Sequence, residues 1–169
     1  MRIEDRIELA KVIYSRFGDE LRRRYGDILN KLDRAIDKTW NYMRSVGITE
    51  ICRRCALETG SCCKRWVEDL YDEVTLLINL LLGVDLPKER YREDLCFFCG
   101  ENGCRIRARE NVCVTYLCDR IDVDRMEFNR VCSAELGYLS LLKVKISRFI
   151  DQKVPRSSSN IRFWRSHHP

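Results

Sequence analysis

Apolar residues recur at helical spacing in four segments of the chain, separated by two stretches where the rhythm fails. The first segment reads Ile3, Ile7, Ala10, Ile13 or Tyr14, Phe17 and Leu21, with Gly26 as its expected end. The second reads Ile28, Leu32, Ala35 with Ile36, Trp40, Met43 and Val46, and Gly47 stops it. Its other face carries Lys31, Asp33, Arg34, Asp37 and Lys38. The third spans residues 64–82 through Trp66, Leu70, Val74, Leu77, Ile78 and Leu81, with Gly83 as its stop and Pro87 beyond. It is apolar around much of its circumference near residues 76–82, which places it centrally in a bundle. The fourth starts at Asp124, with Glu127 three residues on as in a capping box. It continues through Val131, Glu135, Tyr138, Leu142, Ile146 and Phe149.

The two arrhythmic stretches, residues 48–61 and 85–123, hold nearly all the cysteine. No strand run or repeat stands out; Arg105-Ile106-Arg107-Ala108-Arg109 alternates over too short a length. The expectation is an all-α fold, a helical bundle of about four main helices with two cysteine-rich metal-binding connections. Residues 1–154 form one helical domain with cysteine-rich segments 48–63 and 94–118, and residues 155–169 form a basic flexible tail. In an up-and-down bundle, consecutive connections fall at opposite ends, about 25 Å apart for helices of this size. The second connection is long enough to reach back to the first. One merged site and two separate sites both stand.

Charge changes the picture only at the C-terminal end. The formal net charge is +5, but residues 143–169 carry seven basic residues and one acid, so the rest of the chain sums to −1. In the tail, Arg156, Arg162 and Arg165 flank Phe163-Trp164, a composition suited to gripping nucleic-acid backbone and stacking on bases, or to pinning the tail on its own domain. The longest strongly apolar stretch, residues 74–84, is too short to span a bilayer, and residues 1–11 are already charged. These features point to a cytoplasmic protein with no membrane partner; a protein partner, if there is one, is not identified by the chain.

The cysteines carry the candidate chemistry. Ten are present against two histidines, His167 and His168, so a metal site in the domain draws on thiolates, which suit zinc or iron–sulfur centres. The order is Cys52-x2-Cys55, Cys62-Cys63, Cys96-x2-Cys99, then Cys104, Cys113, Cys118 and Cys132. A Cys-x2-Cys turn converges two sulfurs on one ion, and a second pair must come from elsewhere in the chain. Here two such half-sites lie about forty residues apart. Ser61 is a candidate N-cap for the third helix, which would set Cys62 and Cys63 at a helix N-terminus and lower their thiol pKa values. Asn102-Gly103 is a turn signal before Cys104. Cys132 lies on the fourth helical pattern and reads as core.

Bacterial ferredoxin spacing is absent, and the plant-type spacing occurs only in reversed order. There is no phosphate loop, HExxH, GxSxG, EF-hand or His-x-Glu motif, and no catalytic assignment follows. Glu101 and Glu110 are the acids placed to act as ligand or base, against their ordinary reading as solvated loop charges. Close cysteine pairs also admit disulfide stapling or thiol redox cycling, readings the high charged fraction keeps open through the disulfide-rich intracellular proteins of hyperthermophiles.

The run Cys52-Arg-Arg-Cys55 through Gly60-Ser61-Cys62-Cys63 resembles the opening motif of the YkgJ-like CxxCxxCC family, described as putative zinc- or iron-chelating proteins. Gly103-Cys104, Arg109-Glu110-Asn111-Val112-Cys113 and Tyr116-Leu117-Cys118 fall where that family has its later glycine-cysteine, Arg-Pro and Tyr-Pro-Cys elements. Six residues separate Cys55 from Cys62 where the family has two, and Glu110 and Leu117 replace prolines. The resemblance implies metal binding at Cys52, Cys55, Cys62, Cys63, Cys104, Cys113 and Cys118; the half-site argument adds Cys96 and Cys99. The expected function is a thiolate metal-binding protein, holding Zn2+ in closed structural sites and acting as a binding or assembly module. The alternative is a redox or accessory protein carrying iron or a 4Fe-4S cluster on the same cysteines.

Overall fold

The computed structural model describes residues 1–58 and 62–153. The tail with Arg156, Arg162, Phe163, Trp164 and Arg165, the two histidines, and the expected cap Ser61 lie outside the described residues. The chain is mostly helical, and a helical bundle is its frame. Its long members are two rather than four: α1 (Ile3–Ser45) and α5 (Arg125–Lys153), joined by the shorter α2 (Ile48–Leu57), α3 (Glu73–Leu81) and α4 (Asn111–Thr115).

α1 corrects the first expectation, because the two segments divided at Gly26 are one helix of 43 residues. The buried stripe explains the merger. It runs Ile13, Gly18, Leu21, Tyr25, Leu29, Leu32 and Ile36, so Tyr25 and Leu29 carry the apolar face through the glycine without a break in phase. A glycine in a helix interior costs about 1 kcal/mol relative to alanine, less than one buried leucine returns.

The third segment is also corrected. Residues 64–82 are not one helix but a 3-10 turn, Arg65–Leu70, followed by α3. Asp72 makes the break: its Oδ1 accepts the Thr75 backbone N–H at 2.7 Å and the Thr75 hydroxyl at 2.8 Å, so the helix restarts there. Gly83, with φ of 81°, ends α3 as expected. The residues read as the first connection are largely helical, since α2 occupies 48–57. Asp124 caps α5 through Oδ1, which accepts from the N–H groups of Met126 and Glu127 at 2.9 and 3.2 Å.

α1 packs against α3 and α5, and α3 also packs against α5. α5 runs antiparallel to α1: Phe149 meets Phe17 edge-on at 5.7 Å between ring centres, and Phe128 meets Tyr42 at 6.2 Å. The main core joins Leu21, Leu32 and Ile36 of α1 with Leu76, Leu77 and Ile78 of α3 and Leu142 and Ile146 of α5. A smaller core gathers Met43, Ile48, Val114, Leu117, Ile121, Phe128 and Cys132. Within the second connection, β1 (Cys99–Gly100) and β2 (Gly103–Cys104) form a minimal antiparallel hairpin that sets Cys99 opposite Cys104. Gly103 has φ of 98°, a conformation that suits glycine, so the Asn102-Gly103 turn signal is realised. Among the described residues, no helix is long and apolar enough to cross a membrane.

Candidate metal centre

The two cysteine-bearing connections meet. An isolated antiparallel bridge pairs Lys64 with Leu95, and the Cys96 N–H donates to the Cys63 carbonyl at 2.9 Å. Backbone pairing thus draws the long second connection back onto the first.

The result is one cavity of about 740 Å³ lined by all nine cysteines expected as ligands: Cys52, Cys55, Cys62, Cys63, Cys96, Cys99, Cys104, Cys113 and Cys118. They arrive on several local scaffolds. Cys52 and Cys55 sit at i and i+3 on α2, one face of a helix rather than a tight turn. Cys96 and Cys99 flank a turn in which the Cys99 N–H donates to the Cys96 carbonyl at 2.9 Å. Cys104 comes from β2, Cys113 from α4, and Cys118 from the segment after it. Trp40, Trp66, Tyr71, Phe98, Tyr116 and Phe128 supply aromatic wall.

Cys62 and Cys63 depart from expectation. They precede a 3-10 turn whose first flanking residue is Lys64, so no α-helix N-terminus faces them. Their pKa values are raised, not lowered. For Cys62, a hydrogen bond with Cys63 is the main cause and burial adds to it. For Cys63, the hydrogen bond with Cys62 pulls the pKa down, but hydrogen bonding with Cys99 and burial outweigh it.

The other shifts report a desolvated site with crowded sulfurs. Burial, then repulsion from Cys62, Cys55 and Cys118, pushes Cys52 up to about 11. Burial pushes Cys96 up to about 12, and it raises Cys104 and Cys113 as well. Without metal, the Cys52, Cys62, Cys63, Cys96, Cys104 and Cys113 thiols are therefore protonated at neutral pH, and a metal would displace those protons on binding. Two donors already face sulfur: Tyr71 Oη lies 3.4 Å from Cys113 Sγ, and Arg120 Nη1 lies 3.3 Å from Cys55 Sγ. Among the described residues, no two cysteines are joined in a disulfide. Nor do three or more histidine, cysteine, aspartate or glutamate side chains among those residues converge as the ligands of a single ion do. The nine cysteines share one cavity, and within it Cys63 is in hydrogen-bond contact with both Cys62 and Cys99.

Cys132 is fully buried in the smaller core, as its helical phase implies, and does not line the cavity. Glu110 is engaged elsewhere: its Oε1 accepts from Thr75 Oγ1 at 2.6 Å and Lys143 Nζ at 2.9 Å. Glu101 is exposed in the hairpin turn. Neither acid lines the cavity.

Two supports were not read from the sequence. Glu68, only 7% exposed, accepts from both Arg90 terminal nitrogens and from the Phe97 N–H at 2.9 Å, which pins the loop between Cys96 and Cys99. Arg109 is 3% exposed and lines the cavity, with its guanidinium carbon 4.3 Å from the Trp40 ring centre. A charged residue inside a polar-looking loop carries no sequence mark of burial. Only the alternation that buries Ile106 and Ala108 hinted that residues 105–109 lie against the core.

Comparison of the chain with family models, curated proteins and solved structures finds no match.

Proposed function

We propose that this protein binds a metal centre through the cysteine thiolates of the cavity, and that it serves as a metal-dependent binding or accessory module. One observation carries the reading. Nine cysteines from both connections line a single cavity walled in part by aromatic side chains. As random core residues they would be scattered through the packing, as Cys132 is. The likeness of residues 52–118 to the YkgJ-like family agrees with this reading.

The number of sulfurs favours one form of centre. Four thiolates complete the shell of a single zinc ion. Nine cysteines lining one cavity of about 740 Å³ exceed what a lone closed zinc site takes and supply ligands enough for a polynuclear centre, which favours an iron–sulfur cluster. Such a cluster supplies one-electron chemistry when bound. The chain supplies thiolates, an aromatic wall, and donors from Tyr71 and Arg120 that stabilise negative sulfur.

Purification without oxygen, followed by a visible spectrum and assays of zinc, iron and acid-labile sulfide, tests the proposal. A brown protein with iron and sulfide supports the cluster. Colourless protein with stoichiometric zinc retains thiolate metal binding but overturns the cluster form. Metal-free protein whose cysteines are oxidised in pairs overturns metal binding in favour of disulfides.

A further inference from the structure

The geometry points to Arg109 as the counter-charge of the thiolate centre, a positioning residue whose guanidinium balances the negative charge of metal-bound sulfur. The inference rests on the metal-binding reading and gives a role to a residue that the sequence pattern placed in a motif but assigned no function.

A buried arginine normally has a carboxylate in bidentate contact. Arg109 does not. Glu135, completely buried, is its acidic neighbour, but Nη2 to Oε1 is 3.7 Å, beyond hydrogen-bond reach. Among the described residues, Arg109 Nε and both Glu135 carboxylate oxygens are buried with no hydrogen-bond partner. Arg109 Nη2 instead leans on the Met43 sulfur at 3.9 Å, and the guanidinium lies over Trp40. Burial also raises the Glu135 pKa against the pull of Arg109.

The position matters as much as the missing partner. Arg109 lines the cavity, whereas Glu135 does not. Arg109 shares that wall with Cys52 from the first connection and with Cys104 and Cys113 from the second. Of the cations on the cavity wall, Lys64 and Arg120 reach solvent while Arg109 does not. Thiolates outnumber the positive charge of the metal they bind, so the loaded centre is anionic, and on its buried side, where Arg109 lies, that charge calls for a fixed cation. Arg109 is a cation held in place before any metal arrives.

The test compares the full-length wild type with Arg109→Met, Arg109→Lys, Glu135→Gln and the double variant Arg109→Met/Glu135→Met. Zinc alone, and ferrous iron with sulfide, are titrated against a competing chelator, and urea unfolding of each metal-free protein is measured beside them. Arg109→Met should weaken metal retention by about 10–100-fold, the usual effect of losing an outer-shell partner, and Arg109→Lys should restore most of it. Glu135→Gln should leave retention within about two-fold of wild type, because it spares the cation. The double variant removes both charges and so restores packing without an orphaned ion. It should fold and still retain metal poorly. Wild-type retention in the folded double variant, or an equal loss in Glu135→Gln and Arg109→Met, overturns the inference and leaves metal binding standing. A wild type that binds neither metal overturns both.

Discussion

Glu68 offers the sharpest test of how the second connection is held to the site. Its carboxylate takes Arg90 Nη2 at 2.8 Å and Nη1 at 2.5 Å, while the same oxygen that meets Nη1 accepts the Phe97 N–H at 2.9 Å. Arg90 Nη1 also donates to the Leu95 carbonyl at 2.7 Å, and its guanidinium lies 5.3 Å from the Phe97 ring centre. Both side chains are at most 10% exposed. Glu68→Ala removes the acceptor and leaves two orphans, the Arg90 cation and the amide of a phenylalanine only 2% exposed. Breaking one side of a buried pair costs about 3–5 kcal/mol, and an unpaired buried amide costs about 1–3 kcal/mol. Because the chain relaxes around both, the expected total is about 4 kcal/mol, a large share of the 5–15 kcal/mol that holds a typical domain folded.

Glu68→Gln keeps an oxygen for Phe97 and should lose about half as much. Glu68→Leu/Arg90→Met removes both charges and should recover most of the loss, leaving about 1–2 kcal/mol for the amide. Urea unfolding of the reduced, metal-free proteins measures each value, and hydrogen exchange at Phe97 should quicken in Glu68→Ala. If Glu68→Ala costs less than about 1 kcal/mol, or if the double variant is as unstable as the two single variants combined, the carboxylate does not pin the loop and this reasoning fails.

Gly26→Ala should stabilise the protein by about 0.5–1 kcal/mol, since an added Cβ meets nothing within 4 Å and the backbone there is not left-handed. A helix that ended at Gly26 in a left-handed turn would make the same change destabilising, so the sign of the shift in unfolding midpoint decides whether α1 is continuous. The stability difference between wild type and Glu135→Gln should depend on pH, because burial holds the Glu135 carboxyl above its ordinary value of 4.5. Below that value the acid is neutral folded and unfolded alike. As pH rises past it, the unfolded chain ionises first, so wild type loses stability relative to Glu135→Gln until the folded pKa is passed. A difference that stays flat from pH 4 to 8 in denaturant titrations contradicts this.

What the sequence shows of this fold and site follows the range of each signal. The helical rhythm of α5 and its start at Asp124 are local patterns, and both are realised. Gly26 and Asp72 were misread for opposite reasons. A glycine reads as a stop, yet Tyr25 and Leu29 keep the stripe buried across it, and long-range packing on α3 and α5 overrides propensity. Asp72 lies within an apolar rhythm that continues on either side of it, yet its side chain captures Thr75 and splits the segment. Rhythm records which faces are buried, not whether the backbone between two buried residues is α-helical.

The site was legible in its chemistry and not in its assembly. Nine cysteines could be named, seven from the family resemblance and Cys96 and Cys99 from half-site spacing, but their merger depends on Lys64 pairing with Leu95 and on Cys96 bonding to Cys63, contacts between segments about thirty residues apart. Cys52 and Cys55 show why spacing alone is ambiguous. Two residues three apart converge on one side in a tight turn and also on one face of a helix. The chain uses the helical solution, so these two sulfurs are aimed by the packing of α2 rather than by a loop wrapped around an ion. A site aimed by helices, a hairpin and a buried ion pair has its sulfurs placed by the packing of the fold, so the cavity they line depends on contacts far apart in the chain and not on the spacing of any one cysteine pair.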